Sequence, residues 1–344
     1  MKIKTYYAVI LIIVCVASFI NACARAQDNT KTPTSEPTRE QYITKTPTET
    51  PTQEATAEVC ERLNPACLKQ LTSDTAQDGF PTWSPDGEYI LFSRYGGDMA
   101  PEKTGLWLVP PDGGEAHQLT TFIGEHPDWS PDGRYIVFDG DYGDSIQMVP
   151  ASGGTPVRIV PESIPVIRGG QPKWSPDGTR IAFKEGSNLW VLEVASGRLD
   201  KVFSEHGMLP IPACWSPDGK EIYVNVREID TENASIWIIS ATGEGGRQLT
   251  PEQESGYRYA DLSPDGSLLA VVWCEDRDCN LWVMPAAGGK RVQITMGSTY
   301  DDGPSWSPDG TRIAFVSKRS GNFDIWRLKV DAEGLRRELA TLGQ

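Results

Sequence analysis

Few side chains in this chain have the type and spacing for bond-making chemistry. Histidine occurs three times, as His117, His126 and His206, and no Gly-x-Ser-x-Gly elbow accompanies them. A hydrolase of the nucleophile-elbow kind needs that strained turn to expose its serine, so this chemistry has no carrier here. "DGDYGDS" sets Asp139, Asp141 and Asp144 close together. The full spacing of a calcium loop and its terminal bidentate glutamate are missing, and the stretch reads as a solvated hairpin loop. Cys60 and Cys67 flank "ERLNPA", and Cys274 and Cys279 flank "EDRD". Both spacings suit local disulfides in an oxidising compartment, and neither has the CxxC pattern or the histidines of a zinc site. Cys214, beside Trp215, reads as a buried free thiol. The expectation is a chain with no catalytic residue, no metal and no cofactor.

What the chain does carry is repetition. "WSPDG" starts at Trp83, Trp129, Trp174, Trp215 and Trp306, with the variant "LSPDG" at Leu262, and successive copies lie 46, 45, 41, 47 and 44 residues apart. A period in the forties with short strands and recurring turns predicts a propeller. Each phrase is followed by an alternating run such as "RYIVFD" or "TRIAFV", then by a second apolar run that in five units opens on an aliphatic-Trp pair. A Gly-rich turn and a short "RQLT"-like strand complete the unit. The expected fold is all-β: a six-bladed propeller of four-stranded antiparallel blades. Ser, Pro, Asp and Gly in that order are type I turn chemistry, and the preceding Trp is large enough to fill the space between blades. The phrase therefore reads as a joint. Six equivalent aspartates are spread round a ring and have no common substrate to converge on.

These residues resemble a known family. "WSPDG", the following "IAF" and "IW" strands and "RQLT" are similar to the TolB-like, WD-repeat-like six-bladed propellers of the bacterial envelope, over residues 67–344. The resemblance implies the fold and a protein-binding role in the cell envelope. TolB itself carries an α/β domain before the propeller, whereas here a signal and a stalk precede it. Two segments compete to close the ring, "LKQLT" near Leu71 and "LRRELATL" near Leu339. The first is expected to close it, and the second to lie outside as a short extra element.

In a propeller, the segments leading into the inner strands lie at one face of the ring. Here they end in "DGFPTW", "GEHPDW", "GGQPKW", "LPIPACW", "YRYADL" and "DDGPSW", unlike one another where the framework is alike. Function carried on a scaffold sits on such variable segments. They put Phe80, Glu125, His126, Gln171, Arg258, Tyr259, Asp301 and Asp302 round the mouth of the channel as a surface for a protein partner. A carbohydrate-binding or polysaccharide-processing propeller is the alternative reading.

The N-terminus reads as an address. Lys2 and Lys4 precede an apolar run that ends in Ile20-Asn21-Ala22-Cys23, which resembles a lipobox. Residues 1–22 are then a lipoprotein signal peptide and Cys23 the lipidated residue, the chain's one link to a membrane. Residues 23–59 are rich in Thr, Pro and Glu with little to bury, and read as a disordered linker with a reach on the order of 100 Å. Residues 60–344 form the propeller. The formal charge is −15, which disfavours nucleic-acid binding because phosphate neutralisation needs a basic stripe. The expected location is outside the cytoplasm, lipid-anchored at the cell membrane, with another envelope protein as partner and a glycan as the second class of ligand.

Overall fold

The computed structural model describes residues 63–96, 101–140, 144–164, 170–231, 233–251, 256–275, 278–297 and 300–342. Cys23, the signal segment, the linker and Cys60 lie outside the described residues, as does Asp141. Six four-stranded antiparallel sheets stand round a common axis. Their innermost strands are Gln77–Trp83, Glu125–Trp129, Lys173–Trp174, Met208–Trp215, Tyr257–Leu262 and Asp301–Trp306, so the motif residue ends the inner strand in every blade.

The alternating second strands bury both faces because blades stack face to face. Ile90 and Phe92 pack towards the sixth blade, while Leu91 packs towards the second. Each of the six seams holds its own apolar cluster. The SPDG phrase closes the first hairpin identically each time. In blade one the Ser84 hydroxyl donates to Asp86 Oδ1 at 2.6 Å and accepts from the Tyr89 N–H at 3.0 Å. Asp86 Oδ1 also accepts from the Glu88 N–H, and Gly87 takes the positive φ of 74° that ends the turn. Trp83 Nε1 donates to the Ser305 carbonyl and Trp215 Nε1 to the Lys173 carbonyl, in each case one blade back. The phrase is a joint within and between blades.

The hydrogen bonds of these turns predict an acid-sensitive fold. Partial burial opposes ionisation of Asp177 and Asp265, but their serine and backbone donors outweigh it and bring both carboxyls down to about 2. At Asp218 the Ser216 hydroxyl leads, again to about 2. A depressed carboxyl stabilises the fold above its ordinary value, 3.8 here, and that contribution disappears as pH falls through the folded value. The urea midpoint is expected to hold from pH 6 to about 4 and to fall steeply between about 4 and 2. A midpoint constant down to pH 2 would refute this account of the turns.

The ring closes through the N-terminal segment. Leu68–Gln70 pairs antiparallel with Asp324–Lys329 and becomes the outer strand of blade six. Leu71 follows it into the seam between blades six and one, and the Thr72 hydroxyl accepts from the Ile325 N–H at 2.9 Å. Thr120, Thr250 and Thr295 do the same in their own blades, which is what "QLT" is for. "LRRELATL" lies outside the ring, within helix α1 (Ala332–Leu342). Its Leu335 and Leu339 are buried against Leu268 and Val283 of blade five, and Arg336 bonds the Ser267 hydroxyl of the blade-five turn.

Candidate functional site

About three residues before the motif position, the inner strands of five blades break register, and in blade three the inner strand, Lys173–Trp174, starts only after that place. The breaks fall at Gly79/Thr82, Glu125/Asp128, Arg258/Ala260 and Asp302/Ser305, with a further one at Pro212/Cys214 in blade four. The residues at these positions have left-handed backbones: Phe80 at φ 53°, His126 at 47°, Gln171 at 49°, Tyr259 at 25° and Gly303 at 56°. Blade four has Pro212 there, whose ring forbids a positive φ. A positive φ is costly for a residue with a Cβ, and such strain clusters where function needs a side chain aimed. All four non-glycine side chains line a cavity of about 300 Å³ in the central channel, to which every blade contributes.

At the upper edge of that cavity the His126 ring lies 3.9 Å from the Phe80 ring. Its Nδ1 faces Asp139 Oδ2 at 2.9 Å. Asp139 is fully buried and also accepts from the Gly170 and Gln171 N–H groups of the next blade, at 2.8 and 3.0 Å. It is thus an inter-blade support rather than part of a solvated loop; Asp144 is exposed. His126 Nε2 is buried and has no hydrogen-bond partner among the described residues. Glu125 hydrogen-bonds Tyr95, whose phenol is pushed up by burial and by that carboxylate. In blade six Tyr300 donates to Asp302 at 2.6 Å, and Arg258 of blade five is exposed beside them. Burial pushes the Asp302 carboxyl up, against the Tyr300 hydroxyl and the Gly303 N–H.

One rim expectation needs correcting. Asp301 is fully buried inside blade six, where it accepts from the Ser317 hydroxyl at 2.6 Å and from Arg319 at 2.8 Å. Its neighbour Asp302 faces the other way because side chains alternate along a strand. Cys274 and Cys279 are joined by a disulfide across the tip of a blade-five hairpin, where Cys279 forms an isolated β-bridge with Tyr300. Cys67 is buried and disulfide-bonded.

Sequence reasoning missed the cavity floor. The residue before each motif position points inward, giving Thr82, Asp128, Lys173, Cys214, Asp261 and Ser305. Lys173 Nζ sits 3.2 Å from Asp128 Oδ1. Asp128 and Asp261 each accept from the motif N–H of the next blade, Trp174 at 2.8 Å and Trp306 at 2.7 Å. Burial pushes the Asp261 carboxyl up to about 7, against the Trp306 N–H and the Lys173 ammonium. Burial also raises the free Cys214 thiol, which keeps it protonated and unreactive. The signal was present, since these residues vary while their neighbours repeat.

The channel offers aromatic faces, an unpartnered imidazole nitrogen and carboxylates in a concave setting, which suits binding of a polar ligand. Among the described residues no group of three or more His, Cys, Asp or Glu is placed to hold a metal ion.

Fold and channel together define the class: a six-bladed β-propeller with its variable residues turned into the central channel. Residues 255–343 match the TolB beta propeller domain family. Over these residues the chain is similar to the TolB-like propellers. It is 31% identical over 122 residues to an uncharacterized protein of Agrobacterium fabrum, Atu1656, covering 36% of this chain and 41% of that one. It is 37% identical over 129 residues to the Tol-Pal system protein TolB of Anaeromyxobacter dehalogenans, covering 36% of this chain and 28% of the relative. The matches thus span well under half the length of these relatives. Among solved structures, the putative TolB from Agrobacterium tumefaciens superposes with a TM-score of 0.55 at 19% identity, covering 77% of this chain and 97% of that one. An oligogalacturonate lyase from Vibrio parahaemolyticus superposes with a TM-score of 0.53 at 14% identity, covering 77% and 94%. At these identities the superpositions speak for the fold, which binding proteins and enzymes share.

Proposed function

We propose that this protein is a non-enzymatic binding propeller of the bacterial cell envelope that captures another envelope protein at the mouth of its channel. The observation that carries the reading is the ring of Phe80, His126, Gln171 and Tyr259, four residues held in left-handed backbones with their side chains in one cavity. Glu125, Arg258 and Asp302 extend that surface with charge. Export and a lipid on Cys23 hold the propeller at the membrane, and residues 23–59 give it reach. The similarity to Tol-Pal system TolB supports an envelope location. The aromatic-imidazole pair beside carboxylates favours one second reading, a glycan in the same channel.

The test is a crosslinked pull-down from the native envelope with the mature chain and a copy carrying Glu125→Ala, His126→Ala and Tyr259→Ala. One dominant protein captured by the first and lost by the second is the expected result. Equal capture by both would move the site off the channel mouth. Capture of no protein, with retention on a glycan array, would favour the glycan.

A further inference from the structure

The seam that closes the ring differs chemically from the other five. On the third strand of each blade, the residue facing the next blade is Leu108, Met148, Val191, Ile238 and Val283 in blades one to five, and all are buried. In blade six that place is taken by Arg327, only 5% exposed. Its Nε and Nη1 are buried without a hydrogen bond. Two more cations converge with it. Arg312 Nη1 lies 3.5 Å and Arg327 Nη1 3.3 Å from Asp112 Oδ1, and Lys69, paired across the strands with Arg327, donates to the Asp112 carbonyl. Asp112 stands on the hairpin tip of blade one with its side chain 71% exposed.

Two guanidiniums thus share one solvent-exposed carboxylate, and the Lys69 ammonium holds the backbone carbonyl of the same residue, in a chain whose formal charge is −15. Burial and the neighbouring Arg312 both disfavour the Arg327 charge, and Asp112 only partly offsets them. A guanidinium fork is satisfied by an anion with paired oxygens, and a carboxylate touching one nitrogen leaves donors idle.

We propose that Arg327, Arg312 and Lys69 form an oxyanion-binding site at the closing seam, selective for a phosphoryl group, in which Asp112 is an internal stand-in for the ligand. The hairpin tip swings aside when the oxyanion enters, and the phosphoryl oxygens take the place of the Asp112 carboxylate on Arg327 Nη1 and Arg312 Nη1, within reach of the Lys69 ammonium. The site lies on the outer part of the ring-closing seam, so its failure and that of the channel-mouth reading are independent.

The experiment follows the thermal midpoint against inorganic phosphate at constant ionic strength for the wild type, Asp112→Asn and Arg327→Met. Arg327→Met keeps the fold, because Met148 fills this place in blade two. The expected result is a saturable rise in the wild type, an apparent affinity about tenfold higher in Asp112→Asn, and no response in Arg327→Met. No phosphate response in Asp112→Asn, or the same response in Arg327→Met, overturns the site. A parallel titration with glycerophosphoglycerol separates sources. A response to both compounds assigns the ligand to a phosphodiester such as a lipid headgroup, and a response to phosphate alone assigns it to a soluble phosphate.

Discussion

Asp139→Ala is expected to destabilise the propeller by about 3–5 kcal/mol and to abolish partner capture at the channel mouth. The carboxylate is fully buried and serves three groups, the His126 imidazole and the Gly170 and Gln171 N–H groups. Alanine would leave all of them desolvated and unpaired. The equivalent places in blades one and four make the same kind of link across the seam. Ser93 donates to the Gly124 carbonyl at 2.6 Å, and Asn225 donates to the Tyr257 carbonyl at 2.8 Å, each in the next blade. Only in blade two does the support also hold a rim side chain. Chemical denaturation and pull-down read the two effects separately. Asp139→Asn keeps the shape but brings donors against donors, so it should fall between alanine and wild type. A wild-type midpoint in the alanine variant would remove Asp139 from the framework and leave the aim of His126 without a cause.

Leu71→Asp is expected to open the ring, with a loss of at least about 4 kcal/mol. Leu71 packs with Trp83, Phe92 and Ile325 in the seam between blades six and one. An unpaired carboxylate there would expel Leu68–Gln70 from its pairing with Asp324–Lys329. The third strand of blade six would then present unpaired backbone groups, a template for self-association. Size-exclusion chromatography should show oligomers, and the denaturation midpoint should fall. Leu342→Asp is the matched control, because Leu342 is 37% exposed on α1 and closes nothing. A monomeric Leu71→Asp protein with an unchanged midpoint would show that the ring holds without its N-terminal strand.

The framework was legible because its chemistry is local. Ser, Pro, Asp and Gly make a turn with their own neighbours, as Ser307, Asp309 and Gly310 do, so six turns could be read without knowing where they stand in space. Two-residue alternation likewise announces strands. Where the local pattern was ambiguous, the type of element stayed open, although its place outside the ring did not. "LRRELATL" resembles an outer strand in composition, yet Leu335, Leu339 and Leu342 recur at the four- and three-residue steps of a helix, and α1 follows that spacing.

The site was legible only in part, for a geometric reason. The variable segments pointed to Phe80, His126, Gln171 and Tyr259, but which of two adjacent residues faces the channel depends on strand register. The break at Asp302/Ser305 sends Asp301 into blade six and leaves Asp302 beside Tyr300. The floor residues Asp128, Lys173, Cys214 and Asp261 stand beside motif residues and were absorbed into the framework. Only closure of the ring brings them together across intervals of 41 to 47 residues. Arg327 and Asp112 are more distant still and meet because the first and last blades are neighbours. The sequence by itself determined the blade, its joints and the number of copies, since each rests on contacts within a few residues. The tertiary structure alone decided which side chains share the channel and the closing seam, because a closed ring makes neighbours of residues that the chain keeps far apart.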